Sequence, residues 1–316
     1  MDWIVPMSPI LVPRVVEGEE FLHQVKWDGI RGLSYIENGA IRLYTKKGRE
    51  RTPFYPELSV LPGLLKGQQA VLDGEVIILN AEQKPSFQLS LIRERVRDPQ
   101  KAGYYQRKYP AQYIVFDLLA LNGRLLTDRP LSERLAYLRE HLSSSPNIAI
   151  TDDFDNGQEL FDLMREKGWE GIVSKRRSSP YRPYKDHRDW FKTKLKRKIL
   201  AVVAGATLKD GFPNALILAV HREGELVYIG RASVGLTQEH LRLIKETLPV
   251  LKAQPKGFEI SDLSRREQQQ IIWFSPRLTV WVGFLEWTLD GGLRHPKILG
   301  FSTLDPLKAD GTEYLE

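Results

Sequence analysis

The sequence predicts an α+β protein of two domains, the first with antiparallel sheets and flanking helices and the second a small β-barrel. The chain has 316 residues, which is long for one domain. Up to residue 197, short apolar runs alternate with amphipathic helical segments and turns. After that point the pattern changes to short strands with one helix. We therefore expect domains at residues 1–197 and 198–316.

Composition narrows the class of protein. Hydrophobic residues make up 42% of the chain and charged residues 27%, which is typical of a globular protein with a substantial core. There is no cysteine, which excludes disulfides and thiolate metal sites. The sequence shows neither a signal peptide nor a run of ~20 apolar residues, so we expect a cytoplasmic protein without membrane association.

Positive charge is concentrated in one segment. The formal net charge of the chain is +6, yet residues 175–198 hold eleven lysines and arginines against two aspartates. Four aromatic residues are interleaved with them, Tyr181, Tyr184, Trp190 and Phe191. Clustered cations with aromatic side chains indicate a polyanionic partner, with nucleic acid first. The alternative is a solvated basic linker.

The first candidate site follows a strand predicted at residues 21–26, which ends on Lys26. Gly29 allows the backbone to turn or to approach a ligand closely, and Arg31 is suited to bidentate phosphate binding. A lysine among apolar neighbours is a candidate nucleophile, because desolvation and nearby cations would lower its pKa. The alternative interpretation of the stretch from Gln24 to Arg31 is a charged surface hairpin.

The first domain continues with short strands and helices. Periodicity and turn residues predict strands at 30–36, 40–44, 70–79, 112–121, 169–175 and 190–196. They predict one short helix within the proline-punctuated segment 53–65, and further helices at 87–96, 131–141 and 158–167. The dipeptide at 38–39, Asn-Gly, predicts a hairpin turn. Ser132 is the expected N-cap of the third helix, and Gly168 is expected to end the fourth. A basic loop is expected around residues 107–108.

Three acids lie in or beside these predicted strands. Asp73 and Glu75 are embedded in an apolar run, where charge is costly unless it is paired or binds a metal. Glu170 stands at the start of a later strand. Glu75 and Glu170 could hold Mg²⁺, which takes one or two carboxylates and fills its other positions with water and phosphate. A purely structural salt bridge is the alternative.

A row of lysines completes the candidate chemistry. Strict alternation at residues 190–196 places Lys192, Lys194 and Lys196 on one strand face. Phosphates of a nucleotide would need Arg31, Lys192 and Lys194 to absorb developing charge. Phe116 could stack on a base, with core packing as the alternative. Together these residues suit nucleotidyl transfer through a lysine phosphoramidate.

The pattern of the second domain predicts a small β-barrel. Strands are predicted at 199–207, 215–221, 226–231, 278–288 and 298–301, with a helix at 237–248. Thr237 is the expected N-cap of that helix. This set suits a partly open barrel of the oligonucleotide-binding type.

Several common motifs are absent from the sequence. The chain has no G-x-x-x-x-G-K-[ST], G-x-G-x-x-G or H-E-x-x-H, which disfavours a P-loop ATPase, a Rossmann dehydrogenase and a zinc hydrolase.

Five motifs follow one another in a characteristic order. They are K-W-D-G-I-R at 26–31, L-D-G-E at 72–75, V-F-D-L-L at 115–119, W-E-G-I-V-S-K at 169–175 and W-F-K-T-K at 190–194. In this series the chain resembles the ATP-dependent DNA ligases, whose superfamily includes mRNA-capping enzymes and RNA ligases. The stretches at 286–288 and 293–296 are similar to the ligase module of bacterial end-joining ligases. The resemblance implies a nucleotidyltransferase (adenylation) domain followed by an OB-fold domain.

The resemblance also implies a reaction and a set of residues. Lys26 would attack the α-phosphate of ATP and form lysyl-AMP, AMP would pass to the 5′-phosphate of a nick, and the 3′-hydroxyl would displace it. Catalysis would rest on Lys26, Arg31, Lys192 and Lys194. The implied nucleotide contacts are Gln24, Val25, Lys26, Arg31, Lys46, Glu75, Phe116, Glu170, Lys175, Lys192, Lys194 and, in the second domain, Arg294. Glu75 and Glu170 would bind Mg²⁺ or Mn²⁺.

The chain departs from the family pattern at three places. Gln24 stands where the family usually has an acid that accepts from the adenine amino group. Residues 45–48, Thr-Lys-Lys-Gly, stand where the family commonly has S-R-N-G, so Lys46 supplies the charge there without a bidentate fork. The family's final R-x-D-K is not clear in residues 301–308.

The expected partner is nicked double-stranded DNA, and a Ku-type end-binding protein is a further expected partner. With Lys26 so near the start, the resemblance implies a minimal two-domain ligase that acts as a monomer, with a hinge among residues 196–198. An RNA ligase or capping-type nucleotidyltransferase is the alternative enzyme. A DNA-binding relic without catalysis is the alternative outside enzymes.

Overall fold

The structure is a computed structural model that describes residues 3–184, 187–247, 250–251, 258–260, 263–288 and 290–315. The chain divides into two compact units, Met1–Leu195 (unit 1) and Lys196–Glu316 (unit 2), which we describe separately. This division falls two residues before the predicted boundary, because the first strand of unit 2 already begins at Arg197. Lys185 and Asp186 of the basic segment, and Leu248 at the end of a predicted helix, lie outside the described residues.

Unit 1 contains ten strands and five α-helices among its described residues. The strands are β1 Ile10–Leu11, β2 Phe21–Val25, β3 Ile30–Glu37, β4 Ala40–Thr45, β5 Gln69–Ile78, β6 Ala111–Leu121, β7 Arg124–Leu125, β8 Ile148–Ile150, β9 Gly171–Arg176 and β10 Trp190–Lys194. The helices are α1 Leu61–Leu64, α2 Phe87–Glu94, α3 Ala102–Lys108, α4 Leu131–His141 and α5 Gly157–Lys167.

These strands form two sheets. Sheet A has the order β1-β10-β9-β2, with β1 parallel to β10 and the other pairs antiparallel. Sheet B has the order β4-β3-β5-β6-β7, with β8 added parallel to β6. The two sheets supply the walls of the site described below.

The predicted hairpin between β3 and β4 is confirmed. Asn38 and Gly39 both have positive φ angles, 50° and 78°, as a two-residue turn of this kind requires. The helix that ends at Gly168 is confirmed as well, since Gly168 adopts the left-handed conformation with φ of 65°. Asn156 caps the start of this helix by accepting from the backbone N–H of Glu159.

The core of unit 1 lies against sheet B. Leu131, Leu135 and Leu138 of α4 are buried and follow helical spacing, so α4 presents one apolar stripe to β6. On the sheet side, Leu72 of β5 and Leu118 of β6 are fully buried neighbours in register. Burial of such side chains is the main stabilising contribution, at about 2 kcal/mol for each large aliphatic residue.

Three predictions for unit 1 are wrong in detail. Residues 107–108 lie in helix α3 rather than in a loop, because the buried Arg93 guanidinium donates to the carbonyls of Tyr105 and Tyr109 and holds its last turn. Ser132 lies inside the first turn of α4, whose N-cap is Pro130. Strand β10 ends at Lys194, so Lys196 does not share its face.

Unit 2 contains eight strands and two helices among its described residues. They are β11 Arg197–Lys209, β12 Phe212–Arg222, β13 Glu225–Ala232, α6 Gln238–Thr247, β14 Val250–Leu251, α7 Arg265–Gln268, β15 Ile271–Phe274, β16 Thr279–Phe284, β17 Lys297–Ser302 and β18 Glu313–Leu315. The sequence did not predict β14, β15 or β18, which are only two to four residues long. Thr237 is confirmed as the N-cap of α6, since its hydroxyl accepts from the backbone N–H of His240 at 3.2 Å.

One long strand organises unit 2. The first half of β11 pairs with β16 and β18, and its second half pairs with β12 and β15. A register irregularity between Val203 and Gly205 marks the change of partners. Such bulges bend a strand, which curls the sheet toward a barrel. None of the helices in the described residues has the length and apolar character needed to cross a lipid bilayer.

Candidate active site

A pocket in unit 1 collects most of the residues that the sequence singled out. It is a cleft open to solvent, with a cavity volume of about 200 Å³. It is lined by Ser8, Pro9, Gln24, Val25, Lys26, Trp27, Arg31, Lys46, Glu75, Phe116, Val173, Lys175, Trp190 and Lys192. Every predicted nucleotide contact except Glu170, Lys194 and Arg294 is in this lining.

Both sheets of unit 1 contribute to the lining. Strands β9 and β10 of sheet A supply residues at alternating positions, such as Val173 and Lys175, and β2 supplies Gln24 and Val25. Strands β3, β5 and β6 of sheet B supply Arg31, Glu75 and Phe116. Lys26 lies in the link from β2 to β3, so it stands where the chain passes from one sheet to the other.

The link carries Gly29 for a steric reason. A Cβ atom on Gly29 would lie 2.3 Å from the carbonyl oxygen of Val76 in β5. Gly29 therefore lets the link pack against sheet B, with Lys26 before it and Arg31 after it. The close neighbour is thus the backbone of β5, and the approach of Gly29 to a ligand stays a prediction.

Lys26 and Lys194 share one carboxylate. The Lys26 ammonium donates to Oε2 of Glu170, and Lys194 Nζ lies 2.5 Å from Glu170 Oε1. The carboxylate and the Lys26 side chain are both mostly buried. Glu170 and Lys194 thus lie beside the pocket lining, held to it through Lys26.

The predicted direction of the Lys26 pKa is wrong. Burial acts to lower the pKa of Lys26, but the Glu170 carboxylate, and Glu75 behind it, hold that pKa above its usual value. Burial also acts to raise the pKa of Glu170, and the charges of Lys26 and Lys194 hold it below its usual value. The sequence contained both partners, but nothing in it showed that they would meet.

Arg31 is held by a buried acid. Its Nε and Nη2 atoms donate to the two carboxylate oxygens of Asp73, each at 2.5 Å, and Nη2 also donates to the Met7 carbonyl at 3.1 Å. Tyr181 donates its hydroxyl to the same carboxylate at 2.6 Å. The bidentate interaction that the sequence predicted between Arg31 and a phosphate is therefore made with Asp73 instead. The Nη1 atom is the part of the guanidinium that these bonds leave to a ligand.

Lys175 lies between two aromatic rings. Its ammonium nitrogen is 4.2 Å from the Trp190 ring centroid and 4.5 Å from that of Phe116, and it donates to the Phe116 carbonyl at 3.3 Å. Burial, together with the charge of Arg31, lowers the pKa of Lys175 to about 8. The Phe116 ring also has the Arg31 guanidinium 4.5 Å from its centroid. Stacking of Phe116 on a base stays a prediction.

Gln24 and Lys46 each have a defined partner. Gln24 is buried and donates from Nε2 to Oδ1 of Asp153 at 2.7 Å. Lys46, just after β4, donates to the Ser8 hydroxyl at 2.7 Å. The pocket therefore holds its polar side chains in place through neighbours that the sequence alone did not identify.

The acids of the pocket fit a divalent cation. Burial raises the pKa of Glu75 to about 8 although Lys26 and Arg31 act against it, so a further positive charge would stabilise its ionised form. The charges of Glu75 and Glu170 both raise the pKa of Lys26, so two carboxylates interact with the same ammonium group. No cluster of three acidic or histidine ligands occurs in the described residues. Two carboxylates with phosphate oxygens and water suit Mg²⁺ or Mn²⁺.

One predicted contact lies elsewhere. Arg294 belongs to unit 2, where its Nη1 atom pairs with Glu286 Oε1 at 2.5 Å. Its contact with a nucleotide stays a prediction. The hinge predicted at 196–198 also stays a prediction.

The sequence missed several residues that shape the pocket, four of which have polar side-chain atoms at or beside it. Ser8 and Trp27 line it, while Asp153 and Tyr181 hold Gln24 and Asp73. Trp27, next to the nucleophile candidate, donates from Nε1 to the Thr151 hydroxyl at 3.1 Å. Position beside Lys26 was a signal for Trp27, whereas Asp153 and Tyr181 lie 129 and 108 residues from their partners and had none.

Comparison with known proteins identifies the family. The family model described as ATP dependent DNA ligase domain matches residues 11–194, more than half of the chain. This chain belongs to the ATP-dependent DNA ligase family. The model described as ATP dependent DNA ligase C terminal region matches residues 209–303 of the same ligase. Both matched models describe DNA ligases rather than RNA ligases or capping enzymes.

Several bacterial proteins match most of this chain. The multifunctional non-homologous end joining DNA repair protein LigD of Mycobacterium tuberculosis is 31% identical over 285 residues, covering 89% of this chain and 36% of LigD. DNA ligase C of M. tuberculosis is 28% identical over 260 residues, covering 78% of this chain and 71% of that protein. The chain thus spans little more than a third of the length of the mycobacterial LigD proteins it matches.

Solved ligase structures share the fold. The ligase domain of M. tuberculosis LigD has a TM-score of 0.53 at 28% identity, with 98% of both chains covered. Mycobacterial DNA ligase D complexed with ATP and MES has a TM-score of 0.52 at 29% identity, covering 96% of this chain and 97% of that one. A Lig E DNA ligase has a TM-score of 0.57 at 16% identity, with 93% of this chain and 99% of that one covered, and shows the same fold. The predicted adenylation domain with an OB-fold domain is confirmed.

Proposed function

We propose that this ligase joins 5′-phosphate and 3′-hydroxyl ends in nicked double-stranded DNA through an AMP adduct on Lys26. The observation that carries the proposal is the position of Lys26, in the lining of a pocket with Arg31 and Lys192 and hydrogen-bonded to Glu170. An amine, cations for phosphate and carboxylates for a metal are the groups that nucleotidyl transfer needs. The family of the chain supports the same reaction.

In the first step the Lys26 amine attacks the α-phosphate of ATP. A nitrogen–phosphorus bond forms, the bond from the α-phosphorus to the bridging oxygen breaks, and pyrophosphate leaves. Lys26 must lose a proton to solvent before its lone pair can attack, because Glu170, whose own pKa is held low, favours the protonated amine. Glu170 also orients the amine, so that the reacting nitrogen is held before the nucleotide binds.

Cations around the pocket would stabilise the phosphates. Lys192 lines the pocket, and Lys194, further along β10, reaches Glu170. Charge that develops on phosphate oxygens in the transition state is stabilised by such fixed cations. Arg31 would contribute through Nη1, with Asp73 fixing its plane.

Glu75 and Glu170 are the residues that would hold Mg²⁺ or Mn²⁺. When bound with ATP, the cation would offset charge on the phosphates. Glu75, with its pKa raised by burial, would become ionised more readily beside that charge. Among the remaining predicted contacts, Gln24, Val25, Phe116 and Lys175 would surround the base and ribose.

In the second and third steps AMP moves to DNA and is displaced. The 5′-phosphate oxygen at the nick attacks the α-phosphorus and releases Lys26, and then the 3′-hydroxyl attacks the 5′-phosphorus and releases AMP. Lys46, at the pocket edge with Ser8, would supply positive charge to the strand that carries the 5′-phosphate. Each step forms one bond to phosphorus and breaks one.

The biological role that we propose is repair of broken DNA by end joining. It is supported by the matches to proteins named for non-homologous end joining. A Ku-type end-binding protein is the proposed partner, and the proposed working form is a cytoplasmic monomer.

The test follows the adduct by intact mass. The protein with ATP and Mg²⁺ should gain the mass of one AMP, Lys26→Ala should gain none, and Lys66→Ala, at an exposed lysine of unit 1, should gain it normally. Nicked duplex DNA with a 5′-phosphate should then discharge the adduct and become sealed, while a nick without the phosphate should not. An adduct in Lys26→Ala, or one that nicked DNA cannot discharge, would refute the proposal.

A further inference from the structure

Asp153 stands directly across from the end of β2 that enters the pocket. The backbone of His23 and that of Phe154 exchange two hydrogen bonds, of 2.9 and 2.8 Å, in an antiparallel bridge. In such a bridge the next residue on one chain faces the previous residue on the other, so Gln24 faces Asp153. Thr151, two residues earlier, is tied to the Val115 carbonyl and to Trp27. This short loop is therefore held at both of its ends.

The contact fixes which way the Gln24 amide points. Asp153 Oδ1 accepts from Gln24 Nε2 at 2.7 Å, and Asp153 Oδ2 accepts from the Arg139 guanidinium. An ionised carboxylate only accepts hydrogen bonds, so the NH₂ group of the amide must be the end that faces Asp153. The carbonyl Oε1 is left as the free end of Gln24. Gln24 lines the pocket, and no described residue donates to that oxygen.

An amide with this fixed orientation presents only a hydrogen-bond acceptor, its carbonyl oxygen, to a purine. A 6-amino purine presents a donor at its C6 group, which Oε1 can accept. A 6-oxo purine presents an acceptor there, which would face the same oxygen without a donor between them. A freely turning glutamine would serve both, because either end of its amide could rotate toward the base.

We infer that Asp153 is a specificity-determining positioning residue, which selects 6-amino over 6-oxo purine nucleotides by locking the orientation of the Gln24 amide. Asp153 itself need not touch the nucleotide, since its effect passes through Gln24. Arg139 supports it by holding the second carboxylate oxygen. This inference rests on the proposed function, because it takes the pocket to be the ATP site.

The first test compares ATP with inosine triphosphate, which carries the 6-oxo group and lacks the 2-amino group of GTP. For Asp153→Asn, kcat/KM for adduct formation on Lys26 should fall with ATP and hold or rise with inosine triphosphate. The ratio of kcat/KM with ATP to kcat/KM with inosine triphosphate should drop about tenfold or more, because one oriented hydrogen bond to the base is lost. Asp152→Asn removes the same charge from the exposed neighbouring residue and should leave the ratio unchanged.

The second test does not depend on the folding of Asp153→Asn alone. Gln24→Glu places a second carboxylate against Asp153, so kcat/KM with ATP should fall about tenfold or more. Adding Asp153→Asn should restore much of it, because an asparagine amide can donate to the carboxylate introduced at position 24. A Gln24→Glu variant whose lowered kcat/KM is not improved by adding Asp153→Asn would overturn the inference.

Two outcomes separate this inference from the proposed function. If Asp153→Asn lowers kcat/KM equally for both nucleotides, Asp153 is merely structural and the inference fails, while the adduct on Lys26 still supports the proposed function. If the unmodified protein forms no adduct with either nucleotide, the proposed function fails first.

Discussion

The ammonium nitrogen of Lys175 lies 4.2 Å from the centroid of the Trp190 indole ring. Both residues belong to sheet A, where Trp190 of β10 pairs with Lys175 of β9. The arrangement keeps a cation inside the pocket wall, where burial lowers its pKa to about 8. Burial of the protonated ammonium lowers the free energy of unfolding. This destabilisation depends on pH, because the group can lose its proton.

Replacing Lys175 should therefore stabilise the protein near neutral pH. Below pH 8 the lysine is protonated in both the folded and the unfolded state, so the full cost of burying the charge is present. Between about pH 8 and 10.5 the folded state loses the proton first, and the cost is relieved as pH rises. Lys175→Met should raise the free energy of unfolding at pH 7 by up to ~3 kcal/mol, with the gain vanishing near pH 10.5. Urea unfolding of both proteins at about pH 7 and pH 10 measures this.

The exposed Lys66→Met serves as the control and should show no gain at either pH. A Lys175→Met protein that is less stable than the parent at neutral pH would contradict the prediction.

Loss of the Asp73 carboxylate should destabilise unit 1. Asp73→Asn leaves the mostly buried Arg31 guanidinium without its ionic partner, which costs about 3 kcal/mol or more. Glu82→Gln removes an exposed partner from Lys84 and should cost less than about 1 kcal/mol. The free energy of unfolding in urea compares the two. Equal effects of the two substitutions would show that Asp73 does not stabilise Arg31 in the way described.

Lys194 should matter for adduct formation and not for folding. Lys194→Met removes one of the two cations on Glu170, and kcat/KM for adduct formation should fall by about a hundredfold if the cation also stabilises phosphate. Lys66→Met should stay within about twofold of the parent protein. Single-turnover mass measurements give both rates. Normal adduct formation in Lys194→Met would remove Lys194 from the catalytic set.

Gly171 should not tolerate a side chain. It has a φ of 137°, and a Cβ atom there would lie 2.1 Å from the Thr193 carbonyl oxygen of the neighbouring strand. Gly171→Ala should cost about 3 kcal/mol of stability and displace Glu170. Gly63→Ala, which meets nothing within 4 Å, should be close to neutral. Thermal unfolding distinguishes the two variants, and a Gly171→Ala protein as stable as Gly63→Ala would contradict the geometry.

Local features of the sequence predicted the elements that local physics determines. The turn at Asn38 and Gly39 and the helix end at Gly168 need only their own backbone angles. The position of Lys26 directly after β2 follows from the apolar run before it. Most of the residues that line the pocket belong to the family motifs.

Features that depend on register could not be predicted. Arg31 meets Asp73 because β3 lies beside β5, and Tyr181 reaches the same acid from a distant loop. The wrong direction for the Lys26 pKa has the same origin, since Glu170 is 144 residues away in sequence. Helix α3 was missed because its last turn is held by the buried Arg93 rather than by a signal of its own.

Strand β11 has a further consequence for unit 2. Because its two halves pair with four other strands, its amide hydrogens can exchange with solvent only when much of the unit opens. Unit 2 should accordingly exchange as a single cooperative block, with β11 among its slowest amides. A substitution near the bulge between Val203 and Gly205 would then loosen both halves together.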